Sequence, residues 1–305
     1  MHRLFFILTV LASSVSAASE RAQSATELAG SYQVIPNKTY LTADGTDLKL
    51  DIYIPRSSGK KTPVPTLIYF HGGGWVAGSK EQSALQVLPY LERGWAAVNV
   101  QYRLGGKALA PAAVEDTRCA LRWVARHAEE YGFDKSRLVL SGRSAGGHLA
   151  LITGMLTAQS GFDQRCPERE KTGLERASAS QPEVPVAAII NWSGITDVAD
   201  LIAGPNATTY AVAWLGAQGD ASSIAKSVSP MRYVGPDLPA ILTLHGDRDR
   251  IVPYAHAVNL HEALEESGAT NRLHVIRGRE HFVDYTAEDL STAYDTIDAF
   301  LAEHL

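Results

Sequence analysis

Apolar residues follow two alternating rhythms along the chain. Short unbroken runs at Thr66–Phe70, Ala96–Tyr102, Leu138–Leu140, Val186–Asn191, Ala240–Leu244 and Leu273–Ile276 have the length of strands buried on both faces. Between them lie longer segments with apolar positions near helical spacing: Gln82–Arg93, Pro111–Tyr131, Gly147–Thr157, Tyr254–Ser267 and Ala287–Leu305. Val114, Leu121, Val124 and Ala128 mark the second, which Gly132 closes; Leu290, Tyr294, Ile297 and Leu301 share a face of the last. Near the start, Lys38–Tyr53 alternates around Ala43-Asp44-Gly45-Thr46, and Asp-Gly between two such runs predicts a hairpin. Strand and helix in alternation predict an α/β fold with a mostly parallel central sheet and helices on both faces.

Several stretches stand outside this rhythm. Arg56–Pro65 is a loop rich in Pro, Ser, Gly and Lys, and Ala158–Pro185 is a long polar surface excursion. Residues 195–229 hold short helical material with Gly, Pro and Ala, expected as a small insertion over the cleft. Ser19–Ala29 is polar, and residues 18–37 are expected to form a flexible leader before a single domain spanning 38–305. Ahead of it, His2-Arg3 is basic, Leu4–Leu11 is apolar but too short to span a bilayer, and Val15-Ser16-Ala17 supplies small residues. Residues 1–17 therefore read as a cleavable signal peptide, and a secreted or periplasmic product without a membrane anchor is expected.

Composition narrows the partners. An apolar share of 45% supports a sizeable core. The net charge of −5 and the absence of a basic patch argue against nucleic acid. Export would permit one bridge between Cys119 and Cys166, closing a loop of about 48 residues; the alternative is two unpaired thiols. Neither cysteine has a second Cys or His at metal-ligand spacing, so no metal site is expected.

The chemistry gathers where strands end. Gly142-Arg143-Ser144-Ala145-Gly146 lies between a strand and a helix, a placement that forces a sharp turn and lifts the Ser144 hydroxyl out of the sheet beside a helix N-terminus. His71-Gly72-Gly73-Gly74-Trp75 follows another strand, and its glycines let backbone N–H groups face a cleft. A phosphate cradle is disfavoured because no Gly-Lys-Ser/Thr follows. A serine hydroxyl needs a base in contact, and the base needs an anion to hold its tautomer. Asp249 and His281 each follow a strand and come in the chain order Ser, Asp, His used by strand–turn–helix serine hydrolases.

On these residues the chain resembles the α/β-hydrolase superfamily, in its esterase and lipase branch marked by His-Gly-Gly-Gly, and is most similar to secreted bacterial carbohydrate esterases of the acetyl-xylan and feruloyl type. The motifs run from about Lys38 to the C-terminus: His71–Trp75, Tyr102-Arg103-Leu104, Gly142–Gly147, His245-Gly246-x-x-Asp249-x-x-Val252-Pro253 and His281-Phe282. The resemblance implies an α/β-hydrolase fold with a small helical insertion over the active site. It makes Ser144 the nucleophile, His281 the base and then acid, and Asp249 its partner. The N–H groups of Gly73, Gly74 and Ala145 would form the oxyanion hole. It implies a serine carboxylesterase acting through an acyl-enzyme on a small-molecule or carbohydrate ester, without a cofactor. A general short-chain esterase or lipase, an amide-cleaving formamidase and a non-catalytic binding protein are the rival readings.

Other residues carry expectations of their own. Asp247 competes with Asp249, which the His-Gly-x-x-Asp pattern favours. His71 is expected to brace its own loop, His148 to pack or to face solvent, and His245, His256, His261 and His274 to be structural. Trp75 either lines an acyl pocket or packs; Trp192, at a strand end, is a further pocket candidate. Arg143 has no catalytic role, but its charge can bias substrate choice. Asn37, Asn191 and Asn206 open glycosylation motifs, with Asn191 expected to be buried.

Overall fold

A computed structural model describes residues 26–58, 62–167 and 182–305. The signal sequence expected at residues 1–17 lies outside the described residues. Eight strands form one sheet in the order β1-β2-β4-β3-β5-β6-β7-β8. They are β1 (Tyr32–Ala43), β2 (Thr46–Pro55), β3 (Val64–Phe70), β4 (Ala96–Val100), β5 (Phe133–Arg143), β6 (Ala188–Trp192), β7 (Ala240–Gly246) and β8 (Asn271–Ile276). β1 and β2 are antiparallel, as are β2 and β4; every pairing from β4 through β8 is parallel. The hairpin forms at the expected turn, where Asp44 and Gly45 both have positive φ, the geometry that matches strand twist. The leader ends earlier than expected: from Tyr32 onward residues 18–37 belong to β1, with the Tyr32 hydroxyl bonded to the Leu91 carbonyl at 2.6 Å.

The unbroken apolar runs are explained by two cores, one on each face. Ile68, Phe70, Val98, Leu138 and Leu140 enter one cluster, while Leu67, Tyr69, Ala97 and Val139 point into the other. Helices α1 (Leu88–Glu92), α2 (Ala112–Arg126), α3 (Ala128–Tyr131) and α4 (Ala145–Met155) occupy the first part of the chain. α5 (Thr209–Leu215), α6 (Ala221–Ser227), α7 (Ala255–Ser267) and α8 (Ala287–His304) follow. Two expected helices are shorter than their apolar pattern. Pro89 fixes the start of α1. The segment Pro111–Tyr131 breaks at His127, whose ring stacks on Trp123 at 4.0 Å while its Nδ1 shares the Trp123 carbonyl at 2.8 Å. The same carbonyl also accepts the His127 N–H at 3.1 Å, so ring and backbone share it where α2 stops.

Cys119 on α2 and Cys166 in the polar excursion are bridged across 47 positions. Beside the bridge, Arg118 and Arg122 both grip the Asp163 carboxylate, which stays below its ordinary range: burial raises it, but these hydrogen bonds outweigh the burial. The excursion is thus tied to α2 at two adjacent points. Replacing both cysteines by serine is expected to lower unfolding free energy by roughly 4 kcal/mol on loop closure alone. Urea unfolding under non-reducing conditions checks this, and an unchanged midpoint would show that the ion cluster suffices.

Candidate active site

After β4 the chain steps back over β3 to form β5, so the connections from these neighbours leave in opposite directions. Such a reversal opens a crevice at the strands' C-terminal ends. Both glycine motifs lie there. Ser144 separates β5 from α4 with φ 55° and ψ −122°, a strained backbone for a residue with a Cβ. The strain persists because the turn is clamped: the Ser144 N–H donates to the Trp192 carbonyl at 2.8 Å. A Cβ on Gly146 would lie 2.0 Å from the Phe70 carbonyl oxygen, so only glycine lets the elbow cross the end of β3.

The His71–Trp75 loop is braced as expected. The His71 Nδ1–H donates to the Gly72 carbonyl at 2.8 Å, the ring stacks on Tyr102 at 4.2 Å, and the Tyr102 hydroxyl donates to the His71 carbonyl. Burial pushes the His71 imidazole down to about 4. Arg103, next along, holds Asp116 of α2 and Asp44 of the hairpin turn. Gly73 has φ +120°, and its carbonyl accepts from the Val76 and Ala77 amides. Gly73 and Gly74 line the same cavity as Ser144, and Ala145 opens α4 immediately beside it. Among the described residues the N–H groups of all three donate to no protein acceptor.

Asp249 follows β7 and is buried. One carboxylate oxygen accepts from the Ile251 and Val252 amides at 2.8 and 2.9 Å; the other meets His281 Nδ1 at 2.6 Å. Its pKa lies well below the ordinary carboxylate range. Burial raises it, but hydrogen bonds from His245, His281 and the Val252 amide prevail. An ionised carboxylate only accepts, so His281 Nδ1 carries a proton, and Nε2 is the nitrogen left to face the serine. Asp247 instead accepts from the Gly278 amide and steadies the turn after β8.

Ser144 and His281 line one cavity of about 480 Å³ with Tyr69, Arg143, Tyr210 and Phe282 among its walls. Asp249 and His281 are joined; Ser144 Oγ makes no hydrogen bond among the described residues, so nucleophile and base share the cavity without a hydrogen bond between them. Contacts of this kind commonly tighten only around a bound substrate.

Other expectations divide. Trp75 is fully buried rather than at the pocket: its ring stacks on Trp214 at 4.2 Å, and its Nε1–H donates to His148 Nδ1 at 3.1 Å. Trp192 is buried too, beneath Arg143 and Phe282, and does not reach the cavity wall. Both pocket assignments are corrected, because each indole is too large to stay exposed where the insertion or the His281 loop covers it. His148 packs, donating from Nε2 to the Val228 carbonyl at 2.7 Å. His256, His261 and His274 bond Thr196, Asn271 and Thr296 in the scaffold. His245 is fully buried, its Nε2 on the Val252 carbonyl at 3.1 Å, and the same nitrogen lies 3.2 Å from Asp249, so the carboxylate sits between two imidazoles. The four-residue spacing in His245-Gly-x-x-Asp249 was the available signal. Tyr210, supplied by the insertion, bonds the Ile251 carbonyl across the cavity and had no local signal. Asn191 is buried, holding Thr243 and the Gly194 amide. Among the described residues no group of three or more His, Cys, Asp or Glu has metal-binding geometry.

An elbow serine, an acid loop and a histidine loop along the C-terminal edge of a mostly parallel sheet define an α/β-hydrolase, of the esterase branch. The chain belongs to the BD-FAE family, which it matches over residues 50–264. It is 27% identical to Esterase LipQ of Mycobacterium tuberculosis over 74% of this chain and 51% of that protein. The chain spans about half the length of the curated relatives it matches. Among solved structures, it resembles an esterase from Thermogutta terrifontis (28% identity, TM-score 0.69, covering 90% of this chain and 92% of that one). It also resembles a truncated carbohydrate esterase from gut microbiota (26% identity, TM-score 0.71, covering 89% and 98%). The Thermogutta esterase has been solved with butyrate or propionate bound.

Proposed function

We propose that the protein is a serine carboxylic-ester hydrolase, exported by residues 1–17, that removes short acyl groups from carbohydrate-linked esters. The observation that carries the reading is the Asp249–His281 pair, 2.6 Å apart, opening on the cavity that Ser144 lines. Ser144 Oγ attacks the ester carbonyl while His281 Nε2 takes its proton; Asp249 stabilises the resulting imidazolium. The free amides of Gly73, Gly74 and Ala145, with the α4 N-terminus, receive the tetrahedral oxyanion. His281 then protonates the leaving alcohol, and water, deprotonated by the same imidazole, releases the acid.

The carbohydrate leaning is supported by the gut-microbiota neighbour and by the polar wall of Ser79, Gln82, Ser83 and Gln86. The fatty acids bound to the Thermogutta esterase support a short acyl chain. The test is a panel of acetylated and feruloylated oligosaccharides, para-nitrophenyl acetate and butyrate, and N-formylkynurenine. Sugar esters are expected to turn over alongside the aliphatic ones, with the formamide untouched. Failure of every sugar ester while simple esters react would overturn the carbohydrate assignment. Cleavage of the formamide alone would replace it.

A further inference from the structure

We propose that Arg143 is an anion anchor and that the preferred ester carries a carboxylate close to its scissile bond. The inference rests on the esterase reading and adds the charge of the substrate to it. Arg143 directly precedes Ser144, and its side chain lines the same cavity. No Asp or Glu lines that cavity, so the guanidinium is its one fixed charge among the described residues.

The other inward-facing arginines are neutralised. Arg103 meets Asp116, while Arg118 and Arg122 meet Asp163. The Arg143 side chain makes no ion pair or hydrogen bond among the described residues. It is held by aromatic faces instead: its Cζ lies 4.6 Å from the Phe282 ring centre and 5.6 Å from that of Trp192. Contact with ring faces positions the guanidinium while leaving its N–H donors unspent, and those donors match a carboxylate two at a time. Phe282 follows His281 directly and has φ 64°, so the aromatic support is set at a fixed offset from the base. A positively charged fork beside the nucleophile has no use for a neutral ester, which would leave it facing water alone. An acidic sugar on the alcohol side, or a dicarboxylic half-ester on the acyl side, would complete it.

Substrate pairs matched in shape separate these sources. para-Acetoxybenzoate and its methyl ester put the charge on the leaving group; para-nitrophenyl hydrogen glutarate and para-nitrophenyl pentanoate put it on the acyl group. In the wild type, kcat/KM for the charged member of at least one pair is expected to exceed that of its neutral partner about tenfold, declining as salt rises. Arg143→Gln should bring the ratio near one and Arg143→Glu below it, with Arg143→Lys between wild type and Gln because it keeps charge but not the planar fork. Each ratio is taken within one variant, so a general loss of folding or activity cancels. Wild-type ratios at or below one in both pairs, or a ratio unmoved by Arg143→Gln, would overturn the proposal. If the wild type hydrolyses no member of either pair faster than Ser144→Ala does, the esterase reading has failed instead.

Discussion

Ser144→Ala is expected to lower kcat for para-nitrophenyl acetate by on the order of 10⁴–10⁶-fold while the protein stays folded. Alanine removes the only atom that forms the acyl-enzyme, and it leaves the Gly73, Gly74 and Ala145 amides to supply whatever rate remains. The elbow should survive, because its geometry is imposed by the Trp192 carbonyl and by Gly146 packed under Phe70, not by the hydroxyl. Asp249→Asn should approach the same loss by another route. The amide would donate toward His281 Nδ1, moving that ring's proton to Nε2, where it blocks rather than accepts the serine proton. Steady-state rates with circular dichroism on each variant check both. A Ser144→Ala protein that keeps more than a few per cent of wild-type turnover would remove the proposed mechanism.

The second large effect is on stability in mild acid. Burial holds His148 down to about 4, against roughly 6.5 in an unfolded chain. Between those values the unfolded chain binds a proton that the native state refuses. The neutral ring's contribution is therefore full above pH 6.5 and is lost as pH falls toward 4. The slope reaches about 1.4 kcal/mol per pH unit and the total about 3 kcal/mol for one such group. His71 acts in the same sense, for the same reason. Asp116 opposes them: burial pushes it up to about 6 in spite of Arg103, so folding favours its protonation in the same window. The depressed carboxylates Asp249 and Asp163 release their share only at lower pH.

A difference measurement isolates His148. His148→Gln should lose about 1–3 kcal/mol at pH 7.5, since the Trp75 indole and the Val228 carbonyl lose a shared buried partner. Its stability should then fall less steeply than wild type between pH 6.5 and 4. Urea midpoints across that range decide the matter, and parallel curves would show that His148 does not titrate on unfolding.

Much of the fold was legible because it rests on neighbours in sequence. Unbroken apolar runs marked the parallel strands, Asp44-Gly45 marked the hairpin, and Gly-x-Ser-x-Gly marked the elbow with its helix. Two boundaries fall elsewhere than the pattern predicts. α2 stops at His127, whose ring turns back onto the Trp123 carbonyl, and residues 32–37 join β1 because the distant Leu91 carbonyl and the pairing with β2 hold them there.

By itself the sequence determined the class of sheet, the order of its motifs and the placing of Ser144, Asp249 and His281 after three of its strands. These follow from periodicity, turn chemistry and chain order, which are properties of residues close together along the chain. Only the tertiary structure decided that Trp75 and Trp192 are packed away, that His245 also faces Asp249, that Tyr210 reaches Ile251 at the cavity wall, and that Arg143 lies over Phe282 without a carboxylate. Each of these depends on where a side chain points once distant segments pack, and on which partner remains after nearer competitors are satisfied. No window of adjacent residues carries that information.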